Sequence, residues 1–531
     1  MFTLLSKKNL LIVLIFFVLY FFLGFLCFKH YGFAFDEDIQ RQIGESNLKY
    51  IINYFGISHI SSPEILYPHY GVSFEALALI VEKIFRVQDI HNQYLLRHFL
   101  IFLFSFIGVF FFFLLLFKRY RSTILSLIGC LLLILSPRFF AESFYNSKDI
   151  VFMYAFIISF YFSLLFLENP KTKNIIFFTL ACAFLINIRV IGVILPLLVT
   201  IIFFIKYLRS DYKEFILYFF SYLFFLIIFT ILMWPSLWSD PINGFINAFF
   251  VFKSYNIEIY NYYLGNYTNA KNIHWYYIPL WIFITTPPFI LLMFFLGKVL
   301  LIKRVFGRLF SINNKDENKD LWRGSSELID LISILSIILP ICLTILLNST
   351  LYNGWRHLYF VYPFLILISI NPIYRLKIIN QKLQKLSYLV IAVFSLYYSF
   401  WNFKFHPFQY SYFNILSGQK AHLNFDVDYW GLSNKYALEY IIKNNKYNSE
   451  KINVSNLSDT NLILNIKLLE KEKRAKINYV GEVMKSDFLI DNNIFFKPSN
   501  KKRREILEHF DIFHQLIIDN VLITSIYRKK I

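Results

Sequence analysis

NIIFFTLACAFLINIRVIGVILPLLVTIIFFI, residues 174–205, is one long apolar block interrupted by Asn187 and Arg189, and the topology of the chain turns on whether it makes one helix or two. A hydrocarbon core about 30 Å thick takes about 20 residues of helix, so the block is too long for one span. A single tilted helix would invert everything after it and place the later basic connections outside, against the positive-inside tendency. Two short spans, 174–188 and 190–205, keep those connections inside.

Working outward, the same length criterion predicts spans at 10–28, 95–117, 122–137, 150–167, 214–234, 276–296, 327–348, 357–370 and 386–402, about 11 transmembrane helices with the pair above. The first span follows Lys7 and Lys8 and has no small-residue cleavage site after it, so it reads as a retained helix with a cytoplasmic N-terminus. Alternation then places Lys118, Arg119 and Arg121; Lys171 and Lys173; Lys206, Arg209 and Lys213; Lys298, Lys303, Arg304 and Arg308; and Arg375, Lys377, Lys382 and Lys385 in inside connections.

The 531 residues are 57% hydrophobic, which excludes an ordinary soluble globule and indicates a polytopic membrane protein. The abundance of Phe and Tyr together with Ile, Lys and Asn fits an AT-rich coding bias as well as selection. The net charge of +19 does not mark a nucleic-acid binder, because much of it lies in the connections that orient helices. Cys27, Cys130, Cys182 and Cys342 all fall in apolar stretches without metal-ligand spacing and read as packing residues.

Residues 1–402 are read as a transmembrane catalytic unit with outer loops at 29–94, 138–149, 235–275 and 349–357, and residues 403–531 as a small extracytoplasmic α/β domain. The stretch Phe74–Phe85 is amphipathic and predicts an interfacial helix. In the tail, Lys435–Ile442 is helical in period, while Lys451–Val454 and Ala475–Val480 are strand-like.

Chemistry is suggested by two acidic loops. Asp36, Glu37 and Asp38 follow the first span, where carboxylates are costly to desolvate. The loop Ser136–Asp149 brings Arg138, Lys148 and Asp149; the bland reading of Asp149 is a helix cap. Arg97, Arg189, Arg356 and His357 fall at the same ends of their spans, where a lone arginine usually snorkels to headgroups. Together these groups offer a base, cations for an anionic leaving group and apolar walls for a lipid tail, an inventory that suits a sugar linked to polyprenyl phosphate.

The motifs match a known pattern. Phe35-Asp36-Glu37, the stretch from Pro137-Arg138-Phe139 to Tyr145-Asn146-Ser147-Lys148-Asp149-Ile150, His274-Trp275-Tyr276-Tyr277 with Thr286-Pro287-Pro288, Tyr352-Asn353-Gly354-Trp355-Arg356-His357, and His406-Pro407-Phe408 through Asp428-Tyr429-Trp430-Gly431 occur in order. In these the chain resembles a bacterial subgroup of glycosyltransferase family 39 of the GT-C superfamily, which includes the dolichyl-phosphate-mannose protein mannosyltransferases.

The resemblance implies an all-α polytopic GT-C-like enzyme that moves one sugar, with inversion, from a polyprenyl-phosphate donor to a hydroxyl acceptor at the outer face of a bacterial inner membrane. Asp36 is then the catalytic base, Glu37 its support and Asp149 a second site acid. Arg97, Arg138, Lys148, Arg356 and His357 are the expected donor-phosphate ligands, and Asp38 is expected to be merely solvated. The family mostly works without a metal cofactor; by analogy with oligosaccharyltransferases, Asp36 and Asp149 would be the ligands if a divalent ion were used. The tail shows no sign of the β-trefoil modules of the eukaryotic members, which argues against a protein acceptor. The rival reading, a transporter or flippase of lipid-linked saccharides, predicts a charged path across the bilayer and not charges gathered at one side.

Overall fold

The computed structural model describes residues 6–57, 64–207, 212–253, 258–310, 322–445, 451–494 and 500–530. Arg209 and parts of two expected outer loops, 58–63 and 254–257, lie outside the described residues.

The helices follow the predicted spans closely. They are α1 (Lys7–Cys27), α2 (Glu37–Tyr54), α3 (Ser73–Ile84), α4 (Ile90–Tyr120), α5 (Thr123–Leu135), α6 (Pro137–Tyr145), α7 (Asp149–Glu168), α8 (Thr172–Ile188), α9 (Ile194–Tyr207), α10 (Tyr212–Met233), α11 (Pro241–Lys253), α12 (Tyr277–Thr285), α13 (Pro288–Phe310), α14 (Gly324–Leu346), α15 (Tyr362–Ser369), α16 (Asn371–Ile379) and α17 (Gln381–Lys404). Among the described residues seven helices are long and apolar enough to cross a membrane, or up to eight if one bent pair counts as a span.

The shortfall from eleven has local causes. The 174–205 block divides as expected, but α8 has 17 residues and α9 has 14, because Arg189 adopts an extended backbone and a 3-10 turn follows it. Pro137 ends α5 and bends α6 away by 72°. Thr286-Pro287 separates α12 from α13. The 3-10 helix Arg356–Val361 leads into α15, and the two fall in one of the seven spans, Arg356–Leu376.

Exposed apolar side chains on α1 (Leu14, Leu19) and α17 (Val393, Phe400) face outward, as lipid-facing helices require. Cys130 and Cys182 are packing residues, whereas Cys342 is exposed.

A buried charged group marks one end of the bundle. α4, with 31 residues, is about 46 Å long at 1.5 Å per residue. At its far end Arg119 makes two bonds to Asp330, at 2.5 and 2.7 Å, and Arg304 adds a third contact at 3.0 Å. Both Arg119 and Asp330 are buried, so removing one partner strands a charge. Asp330→Ala is expected to destabilise the protein by about 3–5 kcal/mol, read as a fall in thermal unfolding temperature in detergent.

The expected amphipathic stretch forms α3. Beyond α17 the chain packs along the bundle before forming α18 (Ser433–Asn444), α19 (Leu462–Lys467), α20 (Lys471–Ala475) and α21 (Asn500–Leu507). A hairpin in the loop after α11 contains β1 (Tyr260–Tyr263) and β2 (Asn266–Asn269). The tail sheet, made of β3 (Ile452–Asn456), β4 (Ile477–Tyr479), β5 (Phe488–Asp491), β6 (Phe510–Ile518) and β7 (Val521–Lys529), has the order β4-β3-β5-β7-β6. Its β4-β3-β5 part is parallel and its β5-β7-β6 part antiparallel.

Candidate active site

Asp36 stands immediately before α2, and its side chain makes no capping bond to the helix. The local donors are served otherwise: Glu37 Oε1 accepts from Ala34 N at 2.7 Å, and Phe35 N donates to the carbonyl of Trp430 at 3.0 Å. The Asp36 carboxylate, about a third exposed, is therefore turned to Arg356, whose Nη1 donates to it at 2.8 Å.

Asp149 opens α7, and the capping expected of it is done by a neighbour. Asn146 Oδ1 accepts from the backbone N–H of Asp149 at 2.7 Å and of Lys148 at 3.2 Å. The buried Asp149 carboxylate is thereby left to bind Arg189 through Nη2 and to face Arg356 Nη1 at 3.5 Å. Arg356 thus lies between two carboxylates from sequence positions far from its own. Its approach is set by Asn353 and Gly354, which take φ of +57° and +72°, a turn that suits these two residue types.

These groups line a cavity of about 270 Å³. Its wall carries Asp36, Lys148, Arg189, Arg356 and His357 beside the aromatic rings of Tyr70, Tyr352 and Trp430. Lys148 sits 3.3 Å from the centre of the Tyr70 ring. Burial and the neighbouring Arg189 push its ammonium well below the ordinary lysine value. Three nitrogens of the wall, Arg189 Nε, Arg356 Nε and His357 Nδ1, are buried without a hydrogen-bond partner among the described residues.

Other expected site residues lie elsewhere. Glu37 is buried and locked between Ala34 N and His98 Nε2, the latter at 3.0 Å, so it braces the loop and does not face the cavity. Arg97 is buried in an ion pair with Glu75 and is not part of the cavity wall. Arg138 is also buried outside it, donating to the Tyr412 carbonyl at 3.3 Å with its guanidinium over the Phe413 ring. A fully buried arginine must find a partner, and for both the nearest one is protein. Asp38 is not merely solvated: it accepts from Tyr94 Oη and Gln42 Nε2, each at 2.8 Å.

The donor set does not suit a divalent ion. Asp36 and Asp149 both face the Arg356 guanidinium, and no group of three or more His, Cys, Asp or Glu able to hold an ion occurs among the described residues.

Two contributors lie in the quoted motifs but were not singled out as site residues from the sequence. Glu142, buried on α6, accepts from Asn146 Nδ2, Trp430 Nε1 and Tyr359 Oη at 2.7, 3.1 and 3.2 Å. Trp430 reaches the cavity from the tail. Only the i, i+4 spacing of Glu142 and Asn146 was visible locally.

Comparison with known proteins gives three results. Residues 79–234 match the family model described as dolichyl-phosphate-mannose-protein mannosyltransferase. No curated protein matches the chain. A crystal structure of ArnT from Cupriavidus metallidurans bound to undecaprenyl phosphate is similar with a TM-score of 0.49 at 11% identity, over 98% of this chain and 98% of that one. The matched stretch, under a third of this multi-pass membrane chain, contains Lys148, Asp149 and Arg189.

Proposed function

We propose that the chain is an inverting glycosyltransferase of the bacterial inner membrane, with a cytoplasmic N-terminus, that takes one sugar from a polyprenyl-phosphate donor to a hydroxyl acceptor at the extracytoplasmic face. In this reading residues 1–402 are the catalytic membrane part and 403–531 a small extracytoplasmic unit. The observation that carries it is the gathering of Lys148, Arg189, Arg356 and His357 in the wall of one cavity that also presents Asp36. A phosphate supplies several strong acceptor oxygens and a negative charge for these cations to pair with.

Lys148, Arg189, Arg356 and His357 hold the donor phosphate. Arg97 and Arg138 have no part in this, lying outside the cavity wall. Asp36 takes the proton of the acceptor hydroxyl as its oxygen attacks the anomeric carbon. The bond from that carbon to the phosphate oxygen breaks with its electron pair, and the cations stabilise the departing charge. Attack opposite the leaving group inverts the anomeric centre. Asp149 holds Arg189 and Arg356 in place.

The test is incubation of purified full-length protein with labelled polyprenyl-phosphate sugars and a panel of envelope hydroxyl acceptors, the panel chosen by mass spectrometry of a deletion strain. Acceptor-dependent release of polyprenyl phosphate is expected. Vesicle-to-lumen movement of unaltered donor without release would favour the flippase reading and overturn this one.

A further inference from the structure

We propose that Trp430 is the positioning residue of the cavity, its indole face holding the Arg356 guanidinium and its backbone holding the Asp36 segment. The inference rests on the phosphate-binding reading of the cavity given above. Trp430 is buried and lies in the cavity wall. The Arg356 guanidinium carbon is 4.7 Å from the centre of the indole and 4.9 Å from that of Tyr352, so the planar cation has an aromatic ring on hand from each of two loops. The indole Nε1–H is engaged by Glu142 at 3.1 Å, which sets the ring plane. The Trp430 carbonyl accepts from Phe35 N, one residue before Asp36. The two chain segments touch at this point: a Cβ on Gly32 would stand 2.1 Å from the Leu432 carbonyl oxygen.

The turn that presents Trp430 is itself built into the tail. Gly431 takes φ of +69°, and the buried Asp428 carboxylate accepts from Leu432 N at 3.0 Å and Ser433 N at 3.1 Å. Asn492, just after β5, donates to the same carboxylate at 3.0 Å. A continuous set of hydrogen bonds and ring contacts therefore runs from the tail sheet to the cation between Asp36 and Asp149. The tail sets the geometry of a site whose charged groups all belong to the helical part.

Ordinary core packing would also bury this tryptophan, and the two roles differ in what a substitution does. Trp430→Phe keeps an aromatic face under Arg356 and loses the bond to Glu142. Trp430→Leu removes the face as well. The full chain, reconstituted in nanodiscs, is titrated with farnesyl phosphate and with farnesol as the phosphate-free control, alongside thermal unfolding. Wild type is expected to prefer farnesyl phosphate. The leucine variant is expected to weaken that ligand by about tenfold or more, with farnesol binding unchanged. The phenylalanine variant is expected to stay within about threefold.

Farnesyl phosphate affinity of Trp430→Leu within threefold of wild type, or equal weakening by both variants, overturns the proposal. If the leucine variant does not fold, Trp430→Met gives the same comparison with a more adaptable side chain. Failure of the phosphate-site reading shows separately, as wild type and Arg356→Ala binding farnesyl phosphate and farnesol alike, and the Trp430 role falls with it.

Discussion

Asp36→Asn is expected to reduce sugar transfer by on the order of 100-fold or more, the range of a positioned general base, while leaving membrane insertion intact. The amide keeps the shape of the carboxylate but cannot take a hydroxyl proton. Arg356 keeps Asp149, and Asp36 is partly exposed, so unfolding is expected to shift by no more than about 1 kcal/mol. Donor binding should be retained, because the substitution removes a negative charge from beside the proposed phosphate position. Single-turnover transfer by the purified variant is the measurement, and a rate within a few-fold of wild type removes Asp36 as the base.

Arg356→Ala is expected to raise the donor concentration required for half-maximal rate more than it lowers saturated turnover. Truncating one member of a buried hydrogen-bonded charge set costs about 2 kcal/mol or more, roughly a 30-fold loss in kcat/KM. Two effects add: the phosphate loses a guanidinium, and Asp36 and Asp149 face each other without the cation between them. Arg356→Lys keeps the charge but lacks the planar face that lies against the Trp430 and Tyr352 rings, so it should recover donor affinity only in part. Donor dependence equal to wild type in the alanine variant excludes Arg356 from the phosphate site.

The fold was legible in the sequence to the extent that it follows from local pattern. Most predicted spans coincide with a helix, 276–296 being broken into two, and the division of 174–205 was readable from its length and from the basic connections that follow it. Arg189, at the division, pairs with Asp149, an expected site residue. The bend after Ser136 was half-visible as Pro137; that the following residues continue as a buried helix was not, since Arg138, Glu142 and Asn146 look like a polar loop until their partners are known. The tail's first strands, 451–454 and 475–480, carried an alternating pattern, whereas β5 to β7 did not announce their pairing.

Within the candidate site the difference is sharper. Residue type identified Arg97 and Arg138 as cations suited to a phosphate on the same grounds as Arg356, and only their surroundings separate them. Glu75 claims the first, and the Tyr412 carbonyl with the Phe413 ring claims the second. Arg356, 320 residues from Asp36, is the one held between the two acids at the cavity.

The sequence by itself determined a multi-pass helical membrane protein, an acidic loop after the first helix and a second acid at the start of another, and it offered a motif series that resembles one glycosyltransferase family's. The first three follow from hydrophobic period, charge placement and helix-terminal chemistry, all of which act over a few residues. Only the tertiary structure decided which cations meet Asp36, that Glu37 is a brace, and that Trp430 from the tail lies against Arg356. A contact between distant segments depends on how whole helices pack, and no spacing along one chain records it.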